Sequence, residues 1–285
     1  MPQVVTRFAP SPTGLLHLGT AHAALFAWTA ARRAGGRFLL RIEDIDRTRC
    51  RRELAAAIEE DLSWLGLSWE RPVRVQSAHM ADYRAALDRL DAAGLLYPCF
   101  CTRKQIQAEI AAADGAPHLG AELPDGPAYP GTCRGLTPPE RQRRIAEEEP
   151  YALRLDIAAA VRRAGPLAWI DRGAGLQEAQ PALLGDVVVA RKDTPTSYHL
   201  AVTVDDALQG VTLVTRGRDL FHATHVHRLL QALLGLPVPE WHHHALLTDA
   251  FGRRLAKRDK AQTLRALRED GASPGEVRAM AGFPD

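Results

Sequence analysis

The sequence is poor in several features, and each shortage excludes something. No apolar run approaches the ~18 residues a membrane-spanning helix needs, and the opening Met1-Pro2-Gln3-Val4 lacks the pattern of a secretory leader. A cytoplasmic protein with no membrane contact is the expectation. Cysteine is scarce: Cys50, Cys99, Cys101 and Cys133 are too few for a disulfide miniprotein, and disulfides are improbable in a cytosolic chain. Repeats and low-complexity tracts are missing. Charge is nearly balanced at a formal +2, which permits nucleic-acid contact without demanding it. Lysine is almost absent. Only Lys104, Lys192, Lys257 and Lys260 stand among 36 basic residues, a skew that genome composition explains but that singles out each remaining lysine. What is there is ordinary for a soluble globular chain: 285 residues, 46% hydrophobic, mean hydropathy −0.19. That length allows one large domain or two modest ones.

Residues 4–8 predict a short strand. Residues 9–14, with two prolines and a glycine, predict a loop, and 17–33 a helix ended by Gly35-Gly36. A second strand fits 37–42, with helices over 48–65 and 80–93. Strands alternating with helices suggest a parallel sheet covered on both faces. The pattern then changes: residues 95–182 hold three cysteines and most of the prolines and read as an insertion of different architecture. Alternation resumes at 185–190 and 198–205, with a strand at 211–215 and a helix over 220–234.

Chemistry is expected first at the junction after the first strand, because a helix N-terminus offers unpaired N–H groups and a partial positive charge to phosphate. The segment runs from Arg7 to Thr20. His17 and Thr20 share a face of the first turn, and Gly19 leaves room for a flat base. Taken alone, these residues also suit a capped helix with a chance histidine.

Two stretches, Arg7-Phe8-Ala9-Pro10-Ser11-Pro12-Thr13-Gly14 with His17-Leu18-Gly19-Thr20, and Arg41-Ile42-Glu43-Asp44-Ile45-Asp46-Arg47-Thr48-Arg49, resemble the class I aminoacyl-tRNA synthetases. The tetrapeptide matches their HIGH signature, and both stretches resemble the glutamyl branch. The resemblance implies an α/β fold: a Rossmann-like doubly wound parallel sheet split by a zinc-containing α+β insertion. Residues 1–94 and 183–249 would form the two halves of the catalytic domain, 95–182 the insertion, and 250–285 a lysine loop with a short helical end. It also implies that Arg7, Phe8, Ala9, Pro10, Ser11, Glu43, Tyr198 and Arg216 bind L-glutamate. Those residue types suit it: arginine forks bind carboxylates, Glu43 suits the ammonium, and Arg7, Glu43 and Arg216 are expected at the carboxyl edge of one sheet.

For ATP with magnesium, the resemblance implies His17, Gly19, Thr20 and Lys257. Lys257 lies in Arg254-Leu255-Ala256-Lys257-Arg258, which is similar to the KMSKS loop but carries Arg254 and Ala256 in place of its first lysine and hydroxyl residue. Cys99-Phe100-Cys101 and Cys133 supply three thiolates for one structural zinc, which needs a fourth ligand. Chemical preference alone favours His118; the resemblance implies Tyr129, four residues before Cys133. His242-His243-His244 reads as a strand whose alternating faces make a poor metal cage, with His243 lining the nucleotide pocket. His222 and His225 share a helix face and suit a surface or core role.

Only residues 258–285 follow Lys257, so the helical anticodon-binding region of a full glutamyl-type synthetase has no place in this sequence. The expectation is a monomeric catalytic half alone. It resembles a stand-alone branch that activates glutamate without tRNA and transfers it to the queuosine base in the anticodon loop of tRNA(Asp). Arg47, Arg49, Arg51 and Arg52 are candidate phosphate contacts. The alternatives are a truncated synthetase charging a tRNA 3′ end, a glutamine-specific enzyme, and a non-catalytic regulator binding an amino acid or RNA.

Overall fold

Four consecutive buried residues, a run that suits a strand covered on both faces, form β1 (Val5–Phe8) at the centre of the molecule. The computed structural model describes residues 3–113, 128–247 and 262–284. α1 (Leu18–Arg33) buries Ala21, Ala24, Ala27 and Ala31, whose small side chains let the helix lie close, together with Leu25. β2 (Arg37–Ile42) returns parallel to β1, pairing Val5 with Arg37 and Phe8 with Leu40. α2 (Arg52–Trp64), β3 (Glu70–Val75) and α3 (Met80–Ala92) complete the first half, with β3 parallel to β2. The sequence pattern places a helix from residue 48, but α2 begins at Arg52. The Asp46 carboxylate accepts from the Thr48 amide, the Thr48 hydroxyl and the Arg49 Nε at 3.2, 2.6 and 2.8 Å, holding those residues in a turn.

The middle of the chain supplies β4 (Leu96–Cys99), α4 (Arg103–Ala113), α5 (Pro138–Ala146), β5 (Ala152–Leu155), α6 (Ile157–Ala164) and the hairpin β6 (Ala168–Asp171) and β7 (Gly175–Glu178). After it come β8 (Val188–Ala190), α7 (Tyr198–Leu208), β9 (Leu213–Gly217), α8 (Ala223–Leu234), β10 (Glu240–His244), α9 (Leu264–Glu269) and α10 (Pro274–Met280). β9 and β10 pair in parallel, as do β10 and β6, while β7 is antiparallel to β6. β9 also meets β1: the Thr212 amide donates to the Val5 carbonyl at 3.0 Å and the Val5 amide to the Thr212 hydroxyl at 2.8 Å. β3-β2-β1 form one parallel sheet and β9-β10-β6-β7 a second with one antiparallel edge strand; the bonds between Val5 and Thr212 set β1 and β9 edge to edge, so that the two continue one another as a doubly wound α/β sheet.

A second, antiparallel sheet runs β4-β5-β8. Two elements thus differ from the sequence reading. Residues 188–190 pair with β5 in the small sheet rather than resuming the parallel one, and β6, from the segment read as an insertion, joins the large sheet beside β10. Short apolar runs of three or four residues say nothing about which sheet takes them; long-range pairing decides. The small sheet is tied to the body by a core in which Tyr83, Leu87 and Leu90 of α3, Leu155, Val189, and Leu229 and Leu230 of α8 are buried together. α10 packs against α1, with Val277 fully buried.

Candidate active site

β1, β2 and β9 end side by side, so Arg7, Glu43 and Arg216 arrive at one edge of the sheet, where open α/β folds bind ligands. They line a cavity of about 350 Å³ together with Phe8, Ala9, Ser11, Gly19, Thr20 and Tyr198. Nine of the residues expected to touch glutamate or ATP are thereby brought together. Pro10 stands behind them, accepting the Glu43 amide at 3.0 Å. Lys257, with Arg254 and Ala256, and His118 lie outside the described residues.

His17 is the N-cap of α1. Its Nδ1 accepts from the Gly19 amide at 3.1 Å, while Thr20 Oγ1 accepts from the His17 amide at 2.7 Å, a reciprocal capping box. Accepting at Nδ1 leaves the ring proton on Nε2 in the neutral tautomer, a donor at the helix N-terminus. The Thr20 hydroxyl is itself occupied, donating to the His17 carbonyl at 2.6 Å. Sequence spacing placed His17 and Thr20 on one face; the structure adds that they hold each other.

Behind the cavity lies a buried ionic network that the sequence reading missed. Asp206 of α7 accepts Arg7 Nε at 2.9 Å and Arg41 Nη1 at 2.8 Å. Arg41 is fully buried and also reaches Glu43 at 3.2 Å and Asp205 at 3.7 Å. Asp205 further accepts Arg74 Nε, Gln76 and the Tyr83 hydroxyl. Burial raises the Glu43 pKa, which Arg41 and then Arg7 oppose. Asp206 is the reverse case: burial would raise its pKa, but Arg7 and Arg41 outweigh it and hold it below the ordinary value. Two consecutive aspartates in the otherwise apolar helix α7 are the one sequence signal that could have revealed this network.

Arg216 is held differently, by Tyr198, His227, Thr224 and His243. The last of these lies on β10 with its ring hydrogen-bonded to Asp171, whereas it is His244 that lines the cavity. At Gly217, next along β9, a Cβ would press on the Asp219 carboxylate and lie 2.7 Å from a methyl of Leu246, so both side chains would have to turn aside. His222 caps α8 and His225 lies in its first turn; His225 Nδ1 accepts from the Gln180 amide at 3.2 Å, in keeping with a core role.

The cysteines gather at the end of β4. The Sγ atoms of Cys99, Cys101 and Cys133 lie within 4.8 Å of one another, and Cys99 and Cys133 are buried. The Tyr129 hydroxyl joins them, 3.5 Å from the Cys99 and Cys101 sulfurs, and accepts from the Cys133 amide at 2.9 Å. Three thiols and a phenol converging on one point fit a soft divalent cation such as zinc. The Arg154 guanidinium stacks 3.8 Å over the Tyr129 ring, fixing the phenol in place. Cys50 is remote from this group.

A capped helix at the first βα junction, flanked by strand-end arginines and a carboxylate, defines a class I synthetase catalytic core. The family described as "tRNA synthetases class I (E and Q), catalytic domain" matches residues 3–280. Among curated proteins the chain is 51% identical to the glutamyl-Q tRNA(Asp) synthetase of Rhodobacter capsulatus, covering 98% of this chain and all of that protein. It is 47% identical to the protein of the same name from Symbiobacterium thermophilum, over 98% and 87% of the two. Among solved structures, the glutamate-tRNA synthetase of Elizabethkingia anophelis superposes with a TM-score of 0.80 at 26% identity. That match takes in 98% of this chain and 61% of the other. The chain belongs to the class I synthetases of the glutamyl and glutaminyl type, and within them to the glutamyl-Q tRNA(Asp) synthetase family.

Proposed function

We propose that the protein activates L-glutamate with ATP, without tRNA, and transfers it to the queuosine base at the wobble position of tRNA(Asp). One observation carries the reading: two buried arginines and a buried carboxylate converge on one cavity at the N-terminus of α1. Glutamate presents two anions and one cation, and a helix N-terminus suits phosphate. Arg7 and Arg216 take the carboxylates, Glu43 the ammonium, and the Tyr198 hydroxyl adds a hydrogen bond. Phe8, Ala9 and Ser11 line the cavity where glutamate would lie, with Pro10 behind them.

ATP arrives as its magnesium complex. The glutamate α-carboxylate oxygen attacks the α-phosphorus, the bond to the β-phosphate oxygen breaks, and pyrophosphate leaves. His17 Nε2–H, the helix N-terminus at Gly19 and Lys257 stabilise charge on the phosphates, and Thr20 keeps His17 in place; the catalysis is positioning and electrostatics. A hydroxyl of the queuosine cyclopentene ring then attacks the activated carbonyl and AMP departs. Cys99, Cys101, Cys133 and Tyr129 would hold one structural zinc, which would tie the end of β4 to the turn at residues 129–133. The chain acts as a monomer in the cytoplasm.

Glutamate-dependent ATP–pyrophosphate exchange without tRNA tests the first step. Loading of glutamate onto tRNA(Asp) with and without queuosine tests the second. Exchange without RNA, with loading confined to the queuosine-bearing tRNA, is the expected result. Equal loading of both tRNAs would mean a truncated synthetase acting on the 3′ end; no exchange would favour a regulator.

A further inference from the structure

The two arginines of the cavity are anchored in opposite ways. Arg7 is neutralised, its Nε donating to the Asp206 carboxylate at 2.9 Å. Among the described residues, no carboxylate accepts a hydrogen bond from Arg216; Asp206 acts on it only through its charge, already shared with Arg7 and Arg41. The Arg216 Nε donates to His243 Nε2 at 3.1 Å, its Nη1 to His227 Nδ1 at 3.1 Å and to the Tyr198 hydroxyl at 3.4 Å, and its Nη2 to Thr224 Oγ1 at 2.5 Å. A guanidinium only donates, so both imidazole nitrogens that face it carry no proton.

That requirement fixes the neighbouring protons. His243 keeps its proton on Nδ1 and donates it to Asp171 Oδ2 at 2.6 Å. Asp171 is saturated by backbone as well: Oδ2 accepts the His243 amide, and Oδ1 those of Gly173 and Ala174. His227 keeps its proton on Nε2 and donates to His199 Nδ1 at 3.2 Å. Burial first, then the Arg216 cation, hold His243 at about 4 and His227 well below the usual imidazole range. The groups that accept hydrogen bonds from this cation are therefore all uncharged.

We propose that His227, and His243 ordered by Asp171, are positioning residues that hold Arg216 with neutral acceptors only, so that its charge is left for the substrate and the site selects a carboxylate side chain over the isosteric amide. A buried cation without a partner is costly. A bound glutamate removes that cost; glutamine, with the same shape, cannot. A carboxylate hydrogen-bonded to Arg216 itself would supply the counter-charge internally and weaken the preference. This inference rests on the reading of the cavity as a glutamate site.

The test uses two variants of one shape and different charge. His227→Asn puts an amide oxygen where Nδ1 stands, and His227→Asp puts a carboxylate there. Exchange kinetics are measured with glutamate and with glutamine. His227→Asn is expected to raise the KM for glutamate more than it lowers kcat, and to keep the glutamate-to-glutamine ratio of kcat/KM within about threefold of wild type. His227→Asp is expected to lower that ratio by about tenfold or more. Equal ratios in the two variants overturn the proposal. Should neither variant fold, nitrogen-15 histidine spectra of the wild-type protein at neutral pH decide it. They are expected to show neutral rings, His243 protonated on Nδ1 and His227 on Nε2; an imidazolium or the opposite tautomer at either position overturns it. A wild-type protein without glutamate-dependent exchange would instead overturn the reading of the cavity.

Discussion

Asp61 on α2 is fully buried, and neither of its carboxylate oxygens has a hydrogen-bond partner among the described residues. Burial pushes its pKa up to about 6, against the pull of Arg268 and Arg265. The folded state thus prefers the protonated acid. Stability is greatest below the unfolded value near 3.8, falls as pH rises between there and about 6, and stays at the lower level above. The difference corresponds to roughly 3 kcal/mol. Asp61→Asn is expected to raise Tm at neutral pH by several degrees and to lose that advantage below pH 4, which thermal melts across pH will show; equal melting at neutral pH would mean that the carboxylate is solvated. Arg7, Glu43 and Arg216 were singled out through the resemblance to the glutamyl-type synthetases, since a charge at a strand end by itself suits a solvated surface residue as well; the structure brings the three to one cavity. Asp206, Thr224 and His227 were not legible, because they sit inside α7 and α8 and meet the site only through tertiary packing.

Among elements, α1 was legible to within one residue, because its N-cap and its C-terminal glycines are both local signals. β3 and the β6–β7 hairpin were missed: their four to six residues carry no clear alternation, and pairing with distant strands creates them. The thiol cluster shows the same division. The Cys-x-Cys pair announces itself in sequence, whereas Tyr129 was singled out by the resemblance alone, over the chemically preferred His118, and its hydroxyl lies 3.5 Å from two sulfurs. If those four groups hold zinc, purified protein should contain about one equivalent, and Cys133→Ser should lose it. Chelation is expected to lower Tm and to speed hydrogen exchange at residues 99–101 and 128–136 while sparing β1 and β2, which share no ligand with the cluster. Less than half an equivalent of zinc, measured by elemental analysis, would end that assignment.

At the scale of the whole molecule, strand order explains why residues 7, 43 and 216 form one site: β1 lies between β2 and β9, and their ends share an edge. The alternating pattern made that core legible, but not which sheet receives β6 or β8. The same arrangement puts a second cleft, of about 670 Å³, on the far side of the Pro12 loop. Asp44, Arg47, Arg51 and Arg52 line it. The Arg51 guanidinium is spent on the carbonyls of Thr48 and Cys50, and Asp44 on Ser77, whereas Arg47 and Arg52 are exposed and make no ion pair among the described residues. Adenylation needs only small substrates in the neighbouring cavity; transfer needs an RNA backbone held nearby. Phosphate contacts carry a salt dependence that the small-molecule step lacks. The double variant Arg47→Ala, Arg52→Ala is therefore expected to keep ATP–pyrophosphate exchange within about twofold of wild type while transfer to tRNA falls about tenfold at physiological salt. Losing two phosphate contacts should also make the plot of log affinity against log salt shallower by about 1.5. Transfer rates and RNA affinities measured over a salt series decide the matter: an unchanged slope would mean that the RNA enters along another face, and a parallel fall in exchange would mean that these arginines serve the nucleotide instead.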